Sequence, residues 1–134
     1  MKILGINALN HDASISLIED GEILFAGHSE RYSGIKNDSD LNSALFADCY
    51  RQGGKPDKVV YFERPYLKKL RQLRAGQYGE VLSYKNTPQY YLRDYVGNSK
   101  IEYVQHHQSH AAAGYFTSPY EESAIVVIDA IGEF

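Results

Sequence analysis

A single cysteine, Cys49, stands in the whole chain, which excludes an intramolecular disulfide and any zinc site built on several thiolates. That scarcity fits an intracellular setting. There is no tryptophan and there are only four prolines. Basic residues are in short supply too: 14 Lys and Arg against 17 Asp and Glu give a net charge of −3 and a pI near 5.9. The one short basic run, Lys68, Lys69, Arg71 and Arg74, is no nucleic-acid footprint of the usual kind. Long apolar runs are missing as well. The opening "MKILGINALN" turns polar too soon for a signal peptide, and nothing approaches the roughly 20 residues of a membrane span. The expectation is a cytoplasmic protein with neither a membrane nor a nucleic-acid partner.

What is present suits one globular domain. The 134 residues are 43% hydrophobic and 23% charged, enough apolar material for a core and too little charge for disorder. No repeat or low-complexity segment divides them. "KILGIN" reads as a buried strand and "ASISLIED" as an alternating one. Asp20-Gly21 is a strong hairpin signal leading into "EILFAG", so the chain opens with a three-stranded antiparallel meander. After an irregular "HSERYSGIKND", Ser39 is placed to cap a helix carrying Leu41, Ala44, Leu45 and Cys49 up to Gly53-Gly54. "DKVVYFE" follows as a strand and "PYLKKLRQLRAG" as a helix. From Gln77 to Gly97 the pattern is a tyrosine-rich loop entering a helix near Gln89. "KIEYVQ" is a strand, the histidine and alanine segment a helix ending near Pro119, and "ESAIVVIDAIGEF" a last apolar strand and turn.

Hairpins followed by strand–helix alternation imply an α/β fold: a mixed five-stranded sheet with flanking helices, in the manner of ribonuclease H-like and actin-like ATPase folds. Residues 1–122 make that unit. Residues 123–134 read as the first strand of a second subdomain, cut short. Eight of the twelve tyrosines lie between residues 50 and 95, suited to half-buried helix positions or to an interface.

Three clusters carry chemical interest. His106 and His110, four residues apart, share one helical face within reach of a single ion, whereas His107 points elsewhere. The position after His106 holds His107 and not the glutamate of a zincin, so that mechanism is excluded. Asp129, at the carboxyl end of the last strand, is the best carboxylate to complete a metal site. The same two histidines also suit ordinary hydrogen bonds at strand and helix ends. "NALNHDAS" offers Asn10, His11 and Asp12 in a turn whose backbone N–H groups could receive phosphate. Histidine is the side chain suited to proton transfer near neutrality, and a solvated hairpin turn is the plainer alternative. "ERYSGIKND" places Arg31 and Lys36 where they could meet an anion, or simply water.

Taken in order, "LGINALNHDASISLIEDGEI", "SERYSGIKND" and "HHQSHAAAGYFTSPYEESAIVVIDAIGE" resemble the start of the O-carbamoyltransferases of the NodU/CmcH/TobZ type. The resemblance spans the whole chain. It implies an N-terminal Kae1-like domain of actin-like ATPase (ASKHA) fold, of which this chain holds the first half. The YrdC-like C-terminal module, missing here, makes carbamoyl adenylate from carbamoyl phosphate and ATP. The carbamoyl group then passes to a hydroxyl of a small-molecule acceptor. By the same resemblance His106, His110 and Asp129 match metal ligands, for Fe(II) or another divalent ion, and His11 and Lys36 match the transfer site, with Asn10, Asp12 and Arg31 beside it. Gly34 stands where such sequences carry Arg, Asn37 where they carry His, and Ala130 where they carry Gly.

Two other readings fit parts of the pattern. One is a non-catalytic metal-binding or interaction module, a homodimer through the tyrosine-rich region or the last strand. The other is a Kae1/TsaD-like tRNA threonylcarbamoyl transferase, which the "HDAS" turn fits less well. The 134 residues alone are expected to be inactive.

Overall fold

The computed structural model describes residues 1–74, 76, 78–79 and 87–128. Within them the chain folds as an α/β unit. Strands β1 (Lys2–Asn7), β2 (Ser14–Glu19), β3 (Glu22–His28), β4 (Lys58–Tyr61) and β5 (Ile101–Tyr103) form one mixed sheet in the order β3-β2-β1-β4-β5. The meander β1-β2-β3 is antiparallel, while β4 and β5 add in parallel beside β1. Asp20 and Gly21 both take positive φ, 50° and 94°, the geometry that matches a two-residue turn to the twist of its strands. All five strands expected of the sheet are present.

The two faces of the sheet differ. One carries Leu4, Ile6, Ile15, Leu17, Phe25, Val59 and Tyr61, all buried, against Leu45, Phe46 and Cys49 of α2 (Ser43–Gly53). Burial pushes the Cys49 thiol up to about 11, so it is a core residue rather than a nucleophile. Two glycines let helix and sheet approach. A Cβ at Gly27 would lie 2.4 Å from Leu45 Cδ1, and one at Gly53 would lie 2.3 Å from Leu17 Cδ2 and 3.3 Å from Leu24 Cβ. Leu17 is fully buried and has no room to swing aside. Gly53→Ala is therefore expected to destabilise the chain by about 1–2 kcal/mol, because overpacking costs about 1–3 kcal/mol and outweighs a helix-propensity gain of at most about 1 kcal/mol. A urea titration showing equal or greater stability would contradict this close approach.

Short helices α1 (Glu30–Ser33), α3 (Pro65–Arg74), α4 (Pro88–Tyr91) and α5 (Arg93–Val96), and the longer α6 (His106–Phe116), complete the described elements. Two placements correct the sequence reading. The α2 helix starts at Ser43, capped by Asn42, whose side chain accepts from Ala44 N–H at 2.8 Å, and not at Ser39. The reason lies fifty residues away: Leu41 N–H donates to Tyr91 Oη at 2.6 Å and Leu41 O accepts from Tyr95 Oη at 2.8 Å. Leu41 is thereby bound outside the helix. The "ERYS" stretch, read as irregular, is a single helical turn ended by Gly34 at φ 72°.

Residues 123–128, read as a strand, pair with no strand among the described residues, and Ile125, Val126 and Ile128 are 47%, 80% and 89% exposed. Strand composition does not suffice without a ladder partner. The loop expected from Gln77 lies largely outside the described residues, as do Asp129 and the Gly-containing turn after it. The helix expected near Gln89 is present as α4 and α5. Its tyrosines act as staples: Tyr95 stacks on Phe46 with ring centroids 4.6 Å apart, and Tyr50 Oη donates to Tyr95 O at 3.3 Å.

Candidate functional site

The carboxyl ends of the parallel strands β1, β4 and β5 lie along one edge of the sheet, and the turn after β1 is locked there. Leu9 and Asp12 sit at φ 66° and 55°, a region that costs non-glycine residues energy unless the surroundings enforce it. The enforcement is visible. Leu9, Asp12 and Ala13 donate their N–H groups to Ser39 O (3.0 Å), Asn37 O (3.5 Å) and Asp38 O (2.7 Å), zipping the turn to residues 34–40. Asn7 Nδ2 donates to Asp12 O at 2.9 Å, and Tyr61 Oη to Ala8 O. Lys68 Nζ donates to Leu9 O at 3.1 Å and pairs with the buried Glu63 at 2.9 Å.

The turn was expected to offer its N–H groups to phosphate. Three are already spent, which leaves those of the exposed Asn10 and His11 unbonded among the described residues. Fewer N–H groups are open to a ligand here than the sequence suggested. At the same time the zipper brings distant residues together: Lys36 lies exposed, one residue before the Asn37 carbonyl that receives the Asp12 N–H.

Asp12 organises two imidazoles. Its Oδ2 is 2.7 Å from His11 Nδ1, and its Oδ1 is 3.5 Å from His28 Nε2. An ionised carboxylate only accepts, so Nδ1 of His11 carries the proton in that contact and Nε2 is left as the basic nitrogen, facing solvent. His28 was not singled out in the sequence. A signal was there: the Asp20-Gly21 hairpin sets the register that pairs Ser14 with His28, two residues from Asp12.

Loop 34–40 has its own lock. Ser33 Oγ donates to Asp38 Oδ2 at 2.6 Å, and this bond, then the Asp40 N–H, holds the Asp38 carboxyl below its ordinary value of 3.8. A depressed folded-state value means that Asp38 stabilises the fold above about pH 4 and that this contribution is lost as pH falls through the lowered value. Ser33→Ala is expected to move the Asp38 carboxyl titration, followed by carbon NMR, upward toward an ordinary aspartate. An unchanged midpoint would mean the serine does not set it.

Along the same edge, α6 begins right after β5. Val104 N–H donates to Tyr61 O at 3.2 Å, and Ser109 Oγ donates to Phe62 O at 2.9 Å, pinning the helix beside β4. His106 packs on Phe62 with centroids 5.4 Å apart. One turn on, His110 Nε2 comes within 3.2 Å of His106 Nε2, the rings at 88°. Two nitrogens each about 2.0–2.1 Å from one ion and 3.2 Å apart subtend about 100° at it, close to the angle between neighbouring ligands in a tetrahedral site. The residues present fit a metal in that respect. The His107 ring lies at 47° to that of His106, with centroids 5.8 Å apart. Among the described residues no three His, Cys, Asp or Glu side chains gather around one point, and Asp129 lies outside them.

Arg31, exposed on α1, stands at the rim of an open groove of about 690 Å³ between the second sheet face and α6, with His28 at the same end. The structure thus brings together His11, Asp12 and the unpredicted His28 at one end of the sheet edge, with Lys36 on the loop bonded to that turn. It pairs His106 with His110 at the other.

No family model matches the chain. An uncharacterized protein of Synechocystis sp., sll1178, is 30% identical over an alignment of 159 positions that covers 98% of this chain and 26% of the relative. The nodulation protein NolNO of Sinorhizobium fredii is 27% identical over 142 positions, covering 96% of this chain and 21% of that protein. The chain therefore spans about a quarter of the length of the curated relatives it matches. No helix among the described residues is long and apolar enough to cross a membrane. Nearly end to end, the chain is a distant homologue of the nodulation protein NolNO.

Proposed function

We propose that this chain is the first part of an O-carbamoyltransferase of the NodU/CmcH/TobZ type. In this reading its sheet is half of an actin-like (ASKHA) domain, and the remaining length of the relatives supplies the second subdomain and a YrdC-like module. The β3-β2-β1-β4-β5 order with two clusters at the carboxyl strand ends supports the fold, and the likeness to NolNO supports the family. The observation that carries the reading is the 3.2 Å approach of His106 Nε2 to His110 Nε2, at the sheet edge that also presents His11.

The reaction joins an acceptor hydroxyl to the carbonyl carbon of carbamoyl adenylate, itself made from carbamoyl phosphate and ATP, and releases AMP. His11, with Nδ1 held by Asp12, accepts the hydroxyl proton at Nε2 as the oxygen attacks. Lys36 offsets negative charge that develops on the donor, and Asn10, Asp12 and Arg31 line the substrate side of the turn. His106, His110 and Asp129 would hold Fe(II) or another divalent ion, which supplies Lewis-acid polarisation of a donor oxygen when bound. The exposed Ile125, Val126 and Ile128 are where the following subdomain, or a second copy, adds a strand.

The test is carbamoyl transfer by a protein of the relatives' length, supplied with ATP, radiolabelled carbamoyl phosphate and a panel of hydroxylated small molecules. Label entering an acceptor with formation of AMP supports the reading. Label entering only threonylcarbamoyl-modified tRNA would replace it with the Kae1/TsaD-like activity.

A further inference from the structure

The second face of the sheet is unlike the first. Where one face is filled by large apolar side chains, this one exposes Gly5, Ser14, Ser16 and Ala26 as a low floor, and α6 covers only its β4 side through Ser109 and Ala113. The result is the groove of about 690 Å³, inside the range of roughly 300–1,000 Å³ typical of small-molecule sites. It crosses four strands, β4-β1-β2-β3. Three inter-strand spacings make it about 14 Å long.

Its chemistry is graded along that length. Val60, Phe62, Val104 and Ala113 make the α6 end apolar, while His28 and Arg31 make the other end polar. The acids near that polar end are already engaged. Asp12 faces His11 and His28, and Glu30 accepts from Asn37 N–H at 3.0 Å. Arg31 has no ion pair among the described residues. An uncommitted guanidinium at one end of an apolar trough is complementary to one kind of molecule.

We propose that this groove binds an elongated, mainly apolar compound whose single anionic head, a carboxylate or a phosphate, is held by Arg31. Resting on the transfer reading, that compound is the acceptor, lying with its head toward the end where the His11 turn begins. The floor explains the shape preference: a Cβ at Gly5 would already meet Ser16 Oγ at 3.1 Å, so nothing penetrates between the strands and the ligand must lie on top of the sheet, across the strands.

The experiment is calorimetric titration of a protein of the relatives' length with decanoate, decyl phosphate and decanol, in wild type, Arg31→Gln and Ala26→Phe. Both substituted positions are exposed, and circular dichroism checks that each variant folds; Ser16→Leu replaces Ala26→Phe if it does not. Both anions are expected to bind more tightly than decanol. Arg31→Gln should weaken the anions by about tenfold, the scale of one charge-assisted hydrogen bond, without changing decanol. Ala26→Phe should weaken all three by filling the floor. Preference for one anion over the other assigns the head group. Failure of decanoate and decyl phosphate to bind, indifference of both to Arg31→Gln, or binding untouched by Ala26→Phe would overturn the proposal. So would a concentration-dependent dimer abolished by Ala26→Phe, which would give the face to a second copy. Because this reads binding alone, intact binding without any carbamoyl transfer would remove only the acceptor role.

Discussion

Replacing His110 with alanine in a protein of the relatives' length is expected to strip bound divalent metal and abolish carbamoyl transfer together, whereas His107→Ala retains both. The pair geometry dictates the contrast. His106 and His110 bring Nε2 atoms to 3.2 Å, and His107, one residue from His106, is off their shared i, i+4 helical face. Even groups standing behind a metal ligand are worth roughly ten- to a hundredfold in affinity, so loss of a direct ligand should lower affinity by about a hundredfold or more. Metal content after gel filtration, measured by plasma mass spectrometry, is the primary readout because it does not depend on finding the acceptor. If His110→Ala keeps stoichiometric metal, the two histidines are a helix-face contact and the metal reading fails. If metal is lost but transfer persists, the ion is structural and the chemistry rests on the His11 turn.

How far the sequence foretold this arrangement depends on how local each determinant is. Asp20-Gly21 fixes a hairpin within four residues, and β1 to β3 were accordingly legible, as were the i, i+4 spacing of His106 and His110 and the helix that carries it. The start of α2 was misread because Ser39 is a good local cap, while Tyr91 and Tyr95 bind Leu41 from fifty residues away; local propensity yields to such tertiary bonds. His28 was overlooked for the same reason. It matters only once two strand registers have been laid side by side, Asn7 with Ser14 and Ser14 with His28. The hydrogen-bond state of the "NALNHDAS" turn was out of reach too. Nothing in its residues says that Leu9, Asp12 and Ala13 are already bonded to residues 37–39. Residues 123–128 have strand composition and find no strand partner among the described residues.

That zipper gives the second large effect its form. His11→Ala is expected to lower transfer by about a hundred- to ten-thousandfold, the usual worth of a positioned general base. Asp12→Asn should come within the same range with His11 still present. Its carboxylate, 2.7 Å from His11 Nδ1, is what fixes the proton on that nitrogen and leaves Nε2 basic, and an amide can present its NH₂ there and select the wrong tautomer. Asp12 also sits at φ 55°, a conformation asparagine tolerates as well as aspartate, so the substitution spares the turn. The double variant should be little worse than His11→Ala alone, since groups acting as one unit are strongly non-additive. Fully additive losses would mean that Asp12 acts on the substrate independently of His11. A His11→Ala variant within about tenfold of wild type would remove His11 from proton transfer, since even a modest general base is worth more than that, and would leave the turn as a binding edge made by Asn10, Lys36 and the zipped backbone.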